Sequence, residues 1–470
     1  MKHHLSHHLL SDAAIFISLA AVLIVSARAG WTNNESADVI VGYKTLPAAQ
    51  TFYTPYDVAE SPSGKIYVAD FGHNRVLRYS STAALGTGQP AEAVFGQPDF
   101  SAAEAGTSQG GLTYPSSVEI DIHGNLWVAD QQNNRILRWA DADNSPGGAP
   151  AVQVIGQPDF TTRLNSSSAT GLSRPTGLSC DSTGRLWVAD SGNNRVLRYD
   201  QPASAGNNPA ASAVIGQTSF GMNNGGLSQS QFDSPFDVRI GSDGRLWVVD
   251  FGNNRILRYD NPLGASQMAN GVLCQPDFNT KAASHTPSTT NVAITLALSP
   301  SGSLFCADFN NGRILRWDGA ASKSNGAAAD GVLGRNGLTS SSQSSSVGGS
   351  ISSTVRGMLV DRTGTLWVAD AGNDRVLSWD DAHLQPDGAL ANGVIGQPSL
   401  SVTPANAPVL AAGVTSPNAG LEDPASGKFF IADKGRVLRY ASRAAAETGA
   451  APEAFLGKTN PNQSGGTATA

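Results

Sequence analysis

Short apolar runs recur along most of the chain, and each run is four or five residues long and ends at an aspartate. Leu126–Ala129 before Asp130 is a representative example, apolar at consecutive rather than alternate positions. An apolar run of this length without alternation predicts a strand that is covered on both faces. Stacked sheets provide such cover, so the pattern predicts an all-β protein whose sheets pack face to face.

The run belongs to a longer phrase, of which RLWVADSGNNRVLRY from Arg185 is one copy, and this phrase occurs seven times. Its aspartates are spaced 60, 60, 60, 58, 62 and 63 residues apart, and they are Asp70, Asp130, Asp190, Asp250, Asp308, Asp370 and Asp433. A glycine stands six residues before each aspartate, as Gly184 does before Asp190, and predicts a tight turn between two strands.

Four strands are predicted in each repeat. A stretch such as Pro175–Cys180 supplies the first, the apolar run the second, the Arg-Val-Leu-Arg-Tyr segment the third and a run such as Ala213–Gln217 the fourth. Four short antiparallel strands repeated along a chain are typical of the blades of a closed ring. We therefore predict a seven-bladed β-propeller, with a six-bladed ring as the alternative.

The repeats resemble NHL repeats, particularly the bacterial kind that contains the phrase VIGQPDF, found here at Val154–Phe160 and in altered form at Val214–Phe220. The resemblance extends over roughly residues 39–457 and implies a propeller fold, whereas the family's propellers serve many functions. The period of about 60 residues is longer than the 40 to 45 of more familiar propeller repeats. Two surface loops account for the excess, one between the third and fourth strands and one that leads to the next blade.

The two ends of the chain are expected to lie outside the propeller of residues 30–457. Residues 1–29 combine Lys2, an apolar run at 13–25 and the small residues of Ala27-Arg28-Ala29, which predicts a cleaved signal peptide, with an uncleaved anchor as the alternative. Residues 458–470 predict a flexible tail. Eight segments compete for seven fourth strands, and we expect Val39–Gly42 to close the ring. The protein is therefore expected in a secreted, periplasmic or cell-surface location, with no transmembrane segment after cleavage.

Charge and cysteine content exclude some functions. Without residues 1–29 the chain carries 29 basic and 37 acidic residues, a net charge of −8, which argues against a nucleic-acid partner. Cys180, Cys274 and Cys306 lack metal-ligand spacing and are interpreted as small buried residues. The four histidines after residue 29 fall in different repeats, so a three-histidine metal site is not expected.

The Asp-x-x-Asn-Asn-Arg segment of each repeat brings a carboxylate, two amides and a guanidinium close together. Because it recurs in every blade, we interpret it as structural: the aspartate accepts turn N–H bonds, one asparagine adopts a left-handed conformation, and the arginine returns to the aspartate. Asp190→Ala is accordingly expected to destabilise the fold by about 1 to 3 kcal/mol. The aromatic residue that ends each third strand, such as Tyr199, is interpreted as packing between blades rather than binding sugar.

A ligand site should instead break the repeat. Polar residues that differ between blades follow or precede the buried position of the first strand, where they should approach the central channel, and the candidate ligand-binding residues are Asp57, Glu119, Asp237, Arg239 and Glu422. Arg356 lies at a similar place. Carboxylates from several blades could hold calcium there, so the sequence predicts no cofactor other than a possible Ca²⁺ at the channel. A water-filled channel with mutually paired charges is the alternative.

Nothing in the sequence marks a catalytic nucleophile, a phosphate loop or a paired-carboxylate motif. The leading hypothesis is therefore an exported binding or scaffolding module for a protein or glycan partner, which uses the enlarged loops. The alternative is a propeller enzyme of the lactonase or lyase kind that acts at the channel. No catalytic residues are assigned.

Overall fold

The computed structural model describes residues 55–81, 91–263, 268–339, 350–353, 355–360, 364–370, 375–395, 419–423, 426–433, 436–442 and 452–456. All of them belong to one compact unit, Thr45–Ala468. The predicted signal peptide, the tail at 458–470 and Val39–Gly42 lie outside these residues. No helix of the described segments is long and apolar enough to cross a membrane.

The described residues form seven antiparallel sheets, each built from four strands that follow one another in the sequence. Blade 1 comprises β1 (Pro55–Glu60), β2 (Lys65–Asp70), β3 (Arg75–Ser81) and β4 (Ala93–Phe95). Blade 2 comprises β5 (Pro115–Ile120), β6 (Leu126–Asp130), β7 (Arg135–Trp139) and β8 (Gln153–Ile155). Blade 3 comprises β9 (Pro175–Cys180), β10 (Leu186–Asp190), β11 (Arg195–Tyr199) and β12 (Ala213–Ile215).

Blades 4 to 7 have the same organisation. Blade 4 comprises β13 (Pro235–Ile240), β14 (Leu246–Asp250), β15 (Arg255–Tyr259) and β16 (Gly271–Leu273). Blade 5 comprises β17 (Ala293–Leu298), β18 (Leu304–Asp308), β19 (Arg313–Trp317) and β20 (Gly331–Leu333). Blade 6 comprises β21 (Val355–Val360), β22 (Leu366–Asp370), β23 (Arg375–Trp379) and β24 (Gly393–Ile395). Blade 7 comprises β25 (Ala419–Glu422), β26 (Phe429–Asp433), β27 (Arg436–Tyr440) and β28 (Ala454–Leu456).

The first strands of the blades line the inside of a closed ring. Each first strand contacts the first strand of the next blade, and β25 of blade 7 contacts β1 of blade 1. Seven blades are therefore present, as predicted. The expectation that Val39–Gly42 supplies the last fourth strand is wrong for blade 7, because β28 pairs with β27 and completes that sheet from the C-terminal side.

Antiparallel order gives the ring two different faces. The outer-loop face carries the turn between the first and second strands and the loop between the third and fourth, which are residues 121–125 and 140–152 in blade 2. The inter-blade face carries the turn between the second and third strands and the loop to the next blade, which are residues 131–134 and 156–174. Short turns of 3-10 helix occur on both faces: Phe71–His73, Gln131–Asn133, Ser191–Asn193, Pro202–Ser204, Phe251–Asn253, Ala320–Ser322 and Ala382–Leu384.

The hydrophobic core lies between adjacent blades. One cluster joins Ile155 and Leu172 from blade 2 and its following loop to Val188 of blade 3, and corresponding clusters recur at other interfaces. The aromatic residues that end the third strands are at most 1% exposed, and they are Tyr79, Trp139, Tyr199, Tyr259, Trp317, Trp379 and Tyr440. Their burial confirms that they pack between blades and excludes a sugar-stacking surface made from them.

Candidate functional site

The repeated aspartate and arginine form a fully buried ion pair at the inter-blade end of the blade. In blade 3 the Asp190 carboxylate accepts hydrogen bonds from Arg195 Nε at 2.7 Å, Asn193 Nδ2 at 2.8 Å and the Ser173 backbone N–H at 2.6 Å. The side chains of Asp190 and Arg195 are 0% exposed. Corresponding pairs with Nε to Oδ2 distances of 2.6 to 2.8 Å join Asp70 to Arg75, Asp130 to Arg135, Asp250 to Arg255 and Asp308 to Arg313.

The predicted ion pair between the repeat aspartate and arginine is therefore confirmed, but the predicted backbone donor to the aspartate is wrong. The backbone donor to Asp190 is Ser173, 17 residues earlier in the inter-blade loop, and not an N–H of the hairpin turn. The carboxylate thus ties a loop to its blade in addition to bracing the hairpin. Burial raises the pKa of the Asp130 and Asp190 carboxyl groups, and it raises the pKa of Asp250 and Asp308 to about 6, while the paired arginine acts in the opposite direction. The side chains of Asp370 and Asp433 lie outside the described part of the chain.

The guanidinium of the same arginine gathers the carbonyl groups of two loops. Arg195 donates to Ser168 O at 3.0 Å and Gly171 O at 2.7 Å in the loop before its blade, and to Phe220 O at 2.7 Å in the loop after it. Phe220 ends the altered VIGQPDF phrase. That phrase is therefore a loop anchor in this structure, because its final carbonyl is an acceptor for the repeat arginine.

The second asparagine of the motif connects neighbouring blades. Asn194 has a φ of 53°, the left-handed conformation expected from the sequence. Its side chain donates to Asn223 O at 2.9 Å and accepts the Ser234 N–H at 2.6 Å, both in the loop that leads to blade 4. Asn134 makes the equivalent bonds to Arg163 O and the Arg174 N–H. The motif is a joint between successive blades.

The channel residues proposed from the sequence also bridge blades. Asp57 of blade 1 accepts the Val118 N–H and the Ser117 hydroxyl of blade 2, both at 3.0 Å. Asp237 of blade 4 accepts the Leu296 N–H and the Thr295 hydroxyl of blade 5, both at 3.2 Å. Each carboxylate therefore occupies the inner surface of the ring and holds the first strand of the next blade.

Glu119 and Arg239 lie in the same ring of inner strands. Glu119 accepts the Cys180 N–H of blade 3 at 3.0 Å, and burial raises its pKa to about 7, with Asp57 adding to the rise and Arg239 opposing it. Arg239 Nε lies 3.4 Å from Asp237 Oδ2, and 41% of the Arg239 side chain is exposed to the channel. Asp237, Asp57 and Glu119 all raise the Arg239 pKa, so the structure brings these four charges into one electrostatic group.

The charges of this group compensate one another. Such pairing is the alternative to a ligand site that the sequence analysis left open. Among the described residues no set of three or more His, Cys, Asp and Glu side chains is arranged to hold a metal ion. The side chains of Glu422 and Arg356 lie outside the described residues. Binding of a ligand or Ca²⁺ at the channel stays a prediction. The inter-blade hydrogen bonds of Asp57, Glu119 and Asp237 are the feature that sequence reasoning missed, because they depend on which blades are adjacent.

A second repeat arginine acts on the outer-loop face. Arg316 of blade 5 donates to Ala382 O at 3.0 Å in the outer loop of blade 6 and also to Gln385 O. Arg258 donates in the same way to Ala320 O and Lys323 O of blade 5. In blade 2 a glutamine completes the link, because Arg138 donates to Gln153, and Gln153 donates to Pro202 O of blade 3. In blades 2, 4 and 5 the two arginines of the Arg-x-x-Arg segment thus make contacts on both faces of the ring.

Exposed apolar side chains are distributed unequally between the faces. The outer-loop face carries six of the eight large apolar side chains that are exposed in the described residues: Ile122, Val152, Leu263, Met268, Leu384 and Leu390. They come in pairs from blades 2, 4 and 6, and their exposed fractions run from 47% to 71%. The inter-blade face carries Leu164 and Met222. A pocket lined by His123, Thr183 and Gln201 also opens on the outer-loop face, between blades 2 and 3.

A family model and a curated protein each match part of the chain. A model of the NHL repeat matches residues 172–199 and 232–259, which contain most of blades 3 and 4 up to their third strands. Protein SUPPRESSOR OF QUENCHING 1, chloroplastic, from Arabidopsis thaliana is 24% identical over 224 residues. Those residues are 45% of this chain, and the match spans only 19% of that protein.

Solved structures share the architecture. Hydrazine synthase from Kuenenia stuttgartiensis superimposes with a TM-score of 0.52 at 13% identity, over 88% of this chain and 99% of that one. The WD40 repeats of RRP9 superimpose with a TM-score of 0.50 at 11% identity, over 83% of this chain and 93% of that one. At these identities the likeness shows the propeller fold alone.

Proposed function

We propose that this chain, an NHL-repeat β-propeller, is an exported binding module that docks a protein partner on its outer-loop face. The unequal distribution of exposed apolar side chains carries the proposal. Three blades each present two large apolar residues on one face, whereas scattered single residues would be divided between the faces. Apolar side chains of this size favour a protein partner, whose own apolar groups can cover them.

The polar surroundings of these residues suit a rim that orients a partner. Arg245 pairs with Asp260 at 3.0 Å, and Lys323 pairs with Asp330 at 2.6 Å, all four on the outer-loop face. Arg185 forms a further exposed pair with Asp200. Apolar anchors surrounded by a charged rim are the usual composition of a reversible protein interface. On the inter-blade face, in contrast, the repeated arginine and asparagine are directed into the blade joints, as Arg195 and Asn194 are.

Matched serine variants test the docking face. The protein, labelled at its C-terminus, is used to capture partners from the medium and envelope of its host, and wild type is compared with a variant combining Leu263→Ser and Leu384→Ser. The control combines Leu164→Ser and Met222→Ser on the inter-blade face. We expect partners retained by wild type and the control to be lost from the first variant, with at least a tenfold weaker Kd for an identified partner.

Three results would overturn the proposal. Equal loss in both variants would place binding elsewhere or make it non-specific, and retention by the outer-loop variant would exclude these side chains as anchors. Binding of purified glycans that persists in both variants would replace a protein partner by a glycan. Export is tested separately by the N-terminal sequence of protein recovered from the medium or envelope, where we expect the mature chain to begin at Gly30.

A further inference from the structure

One joint between blades departs from all the others in the described part of the ring. In blades 1, 2, 3 and 5 the residue after the fourth strand is a glycine with a φ of 80° to 91°, namely Gly96, Gly156, Gly216 and Gly334. In blade 4 that position is Cys274, with a φ of 68°. A residue with a Cβ is strained in this left-handed region, so a cysteine here calls for a specific explanation.

The residue that normally covers this position has changed as well. A Cβ added to each of the four glycines would lie 2.0 to 2.5 Å from a large apolar side chain of the following loop, namely Leu112, Leu172, Phe232 or Ile351. The corresponding residue after Cys274 is Thr290, which is smaller and fully buried. Its hydroxyl is bound to Asn254 O at 3.1 Å. The exchange makes room for the Cys274 side chain.

A third exchange stands on the facing strand of blade 5. The second strands of blades 1 to 4 and 6 have valine at this position, as at Val188 and Val248, whereas β18 has Cys306. Cys274 and Cys306 are both 0% exposed and belong to the same core cluster between blades 4 and 5. At the neighbouring joint the equivalent cluster contains Phe232 and Val248. Two of the chain's three cysteines therefore meet where an apolar contact is the rule.

We propose that Cys274 and Cys306 form a disulfide bond that staples blade 4 to blade 5 in the exported protein. The bond forms by thiol–disulfide exchange with a carrier disulfide, such as that of oxidised glutathione or of a disulfide-exchange catalyst. One cysteine thiolate attacks the carrier's disulfide and releases one carrier thiol. The second cysteine then attacks the mixed disulfide, so the carrier leaves fully reduced and takes up the two protons and two electrons.

Burial of the two cysteine side chains determines when the disulfide bond can form. The Cys306 side chain interacts with Cys274, and burial raises the pKa of the Cys306 thiol well above its usual value. Thiols in that state are unreactive once the blades have closed over them. Oxidation therefore takes place during folding, before blades 4 and 5 dock, and the bond is afterwards protected from reductants in solution.

The remaining cysteine provides an internal control. Cys180, at the end of β9, lies in a different core cluster, between blades 2 and 3, and is not a partner for either of the other two. The protein is unfolded in reductant, refolded either with oxidised and reduced glutathione or with reductant alone, and its free thiols are counted after denaturation. We expect one free thiol per chain after oxidative refolding and three after reductive refolding.

Peptide mapping identifies the bond. Trypsin cleaves after Lys281, between the two cysteines, so the bond joins two peptides that separate on reduction. Cys180→Ser should leave the linked pair unchanged. Cys306→Val and Cys274→Gly, which restore the residues of the other blades, should abolish it. Wild-type protein should melt several degrees higher when oxidised than when reduced, and Cys306→Val should melt at one temperature in both conditions.

Three alkylated thiols after oxidative refolding would overturn the proposal and leave Cys274 and Cys306 as packing substitutions for glycine and valine. A bond that includes Cys180 would overturn it as well. Transfer of already folded, reduced protein into glutathione buffer checks the timing, because we expect oxidation there to be at least tenfold slower than during refolding.

Discussion

Each face of the ring is stabilised by a repeated arginine, and the two arginines lie in different environments. On the inter-blade face Arg195 is 0% exposed and bound to Asp190, Ser168, Gly171 and Phe220. On the outer-loop face Arg198, three residues later, pairs with an Asp200 side chain that is 41% exposed. In the first environment the loss of one partner leaves a buried charge unpaired, whereas in the second environment water reaches the carboxylate and weakens the pair.

The largest expected effect is on the buried pair. Asp190→Ala removes the acceptor for Arg195, Asn193 and Ser173, and leaves a buried guanidinium without its carboxylate. Because the pair is fully buried, we expect a loss of about 3 to 5 kcal/mol in the free energy of unfolding, more than sequence reasoning alone suggested. Asp200→Ala on the outer-loop face should cost less than about 1 kcal/mol. Denaturant unfolding of both variants measures the difference, and equal losses would contradict the comparison.

Two glycines give the second comparison. Gly216 on the inter-blade face has a φ of 91°, and an added Cβ would lie 2.0 Å from Phe232. Gly184 on the outer-loop face has a φ of 82° and a nearest neighbour at 3.7 Å. Both alanine variants strain the backbone, and only Gly216→Ala also overpacks the core, so it should lose about 1 to 3 kcal/mol more than Gly184→Ala. Thermal unfolding under one set of conditions decides this.

A third test concerns the channel, which lies between the faces. The pKa of Glu119 is raised from 4.5 to about 7, so the folded state holds this proton more tightly than the unfolded chain does. That contribution to stability is complete below about pH 4.5 and is lost as the pH rises through about 7. Glu119→Gln should therefore gain about 1 to 2 kcal/mol relative to wild type between pH 4 and pH 8.

Glu104→Gln, which changes an exposed carboxylate on the inter-blade face, is the control for the pH comparison. Its difference from wild type should not follow the same pH profile. If Glu119→Gln runs parallel to wild type from pH 4 to pH 8, the raised pKa is not a property of the folded protein in solution.

The smallest effect is expected from calcium. Asp57 and Asp237 already accept hydrogen bonds from the next blade, so a bound ion would have to compete with those donors. We expect millimolar Ca²⁺ to shift the melting temperature by less than about 1 °C, since a ligand stabilises only in proportion to its occupancy of the folded state. A saturable rise that Asp237→Asn abolishes would instead establish the channel as a calcium site.

Much of the repeat motif's structure could be predicted from residues that are close together in the sequence. Asp190, Asn194 and Arg195 are a few residues apart, so the ion pair and the left-handed turn follow from spacing and from intrinsic conformational preference. The Ser173 N–H that donates to Asp190, and the Gly171 and Phe220 carbonyls that accept from Arg195, could not be predicted in this way. They lie 17 to 25 residues away, in loops whose path is decided by the packing of blades.

The sequence by itself determined the blade, its four strands and the number of blades, because each repeat records the same local hydrogen bonding and the same two-sided burial. Only the tertiary structure decided which residues meet across blades: Asp57 with Val118, Glu119 with Cys180, and Cys274 with Cys306. It also decided the seam, where β28 rather than an N-terminal segment completes blade 7. The two members of these pairs are 61, 61 and 32 residues apart, and they meet only because adjacent blades pack side by side, which no single repeat determines.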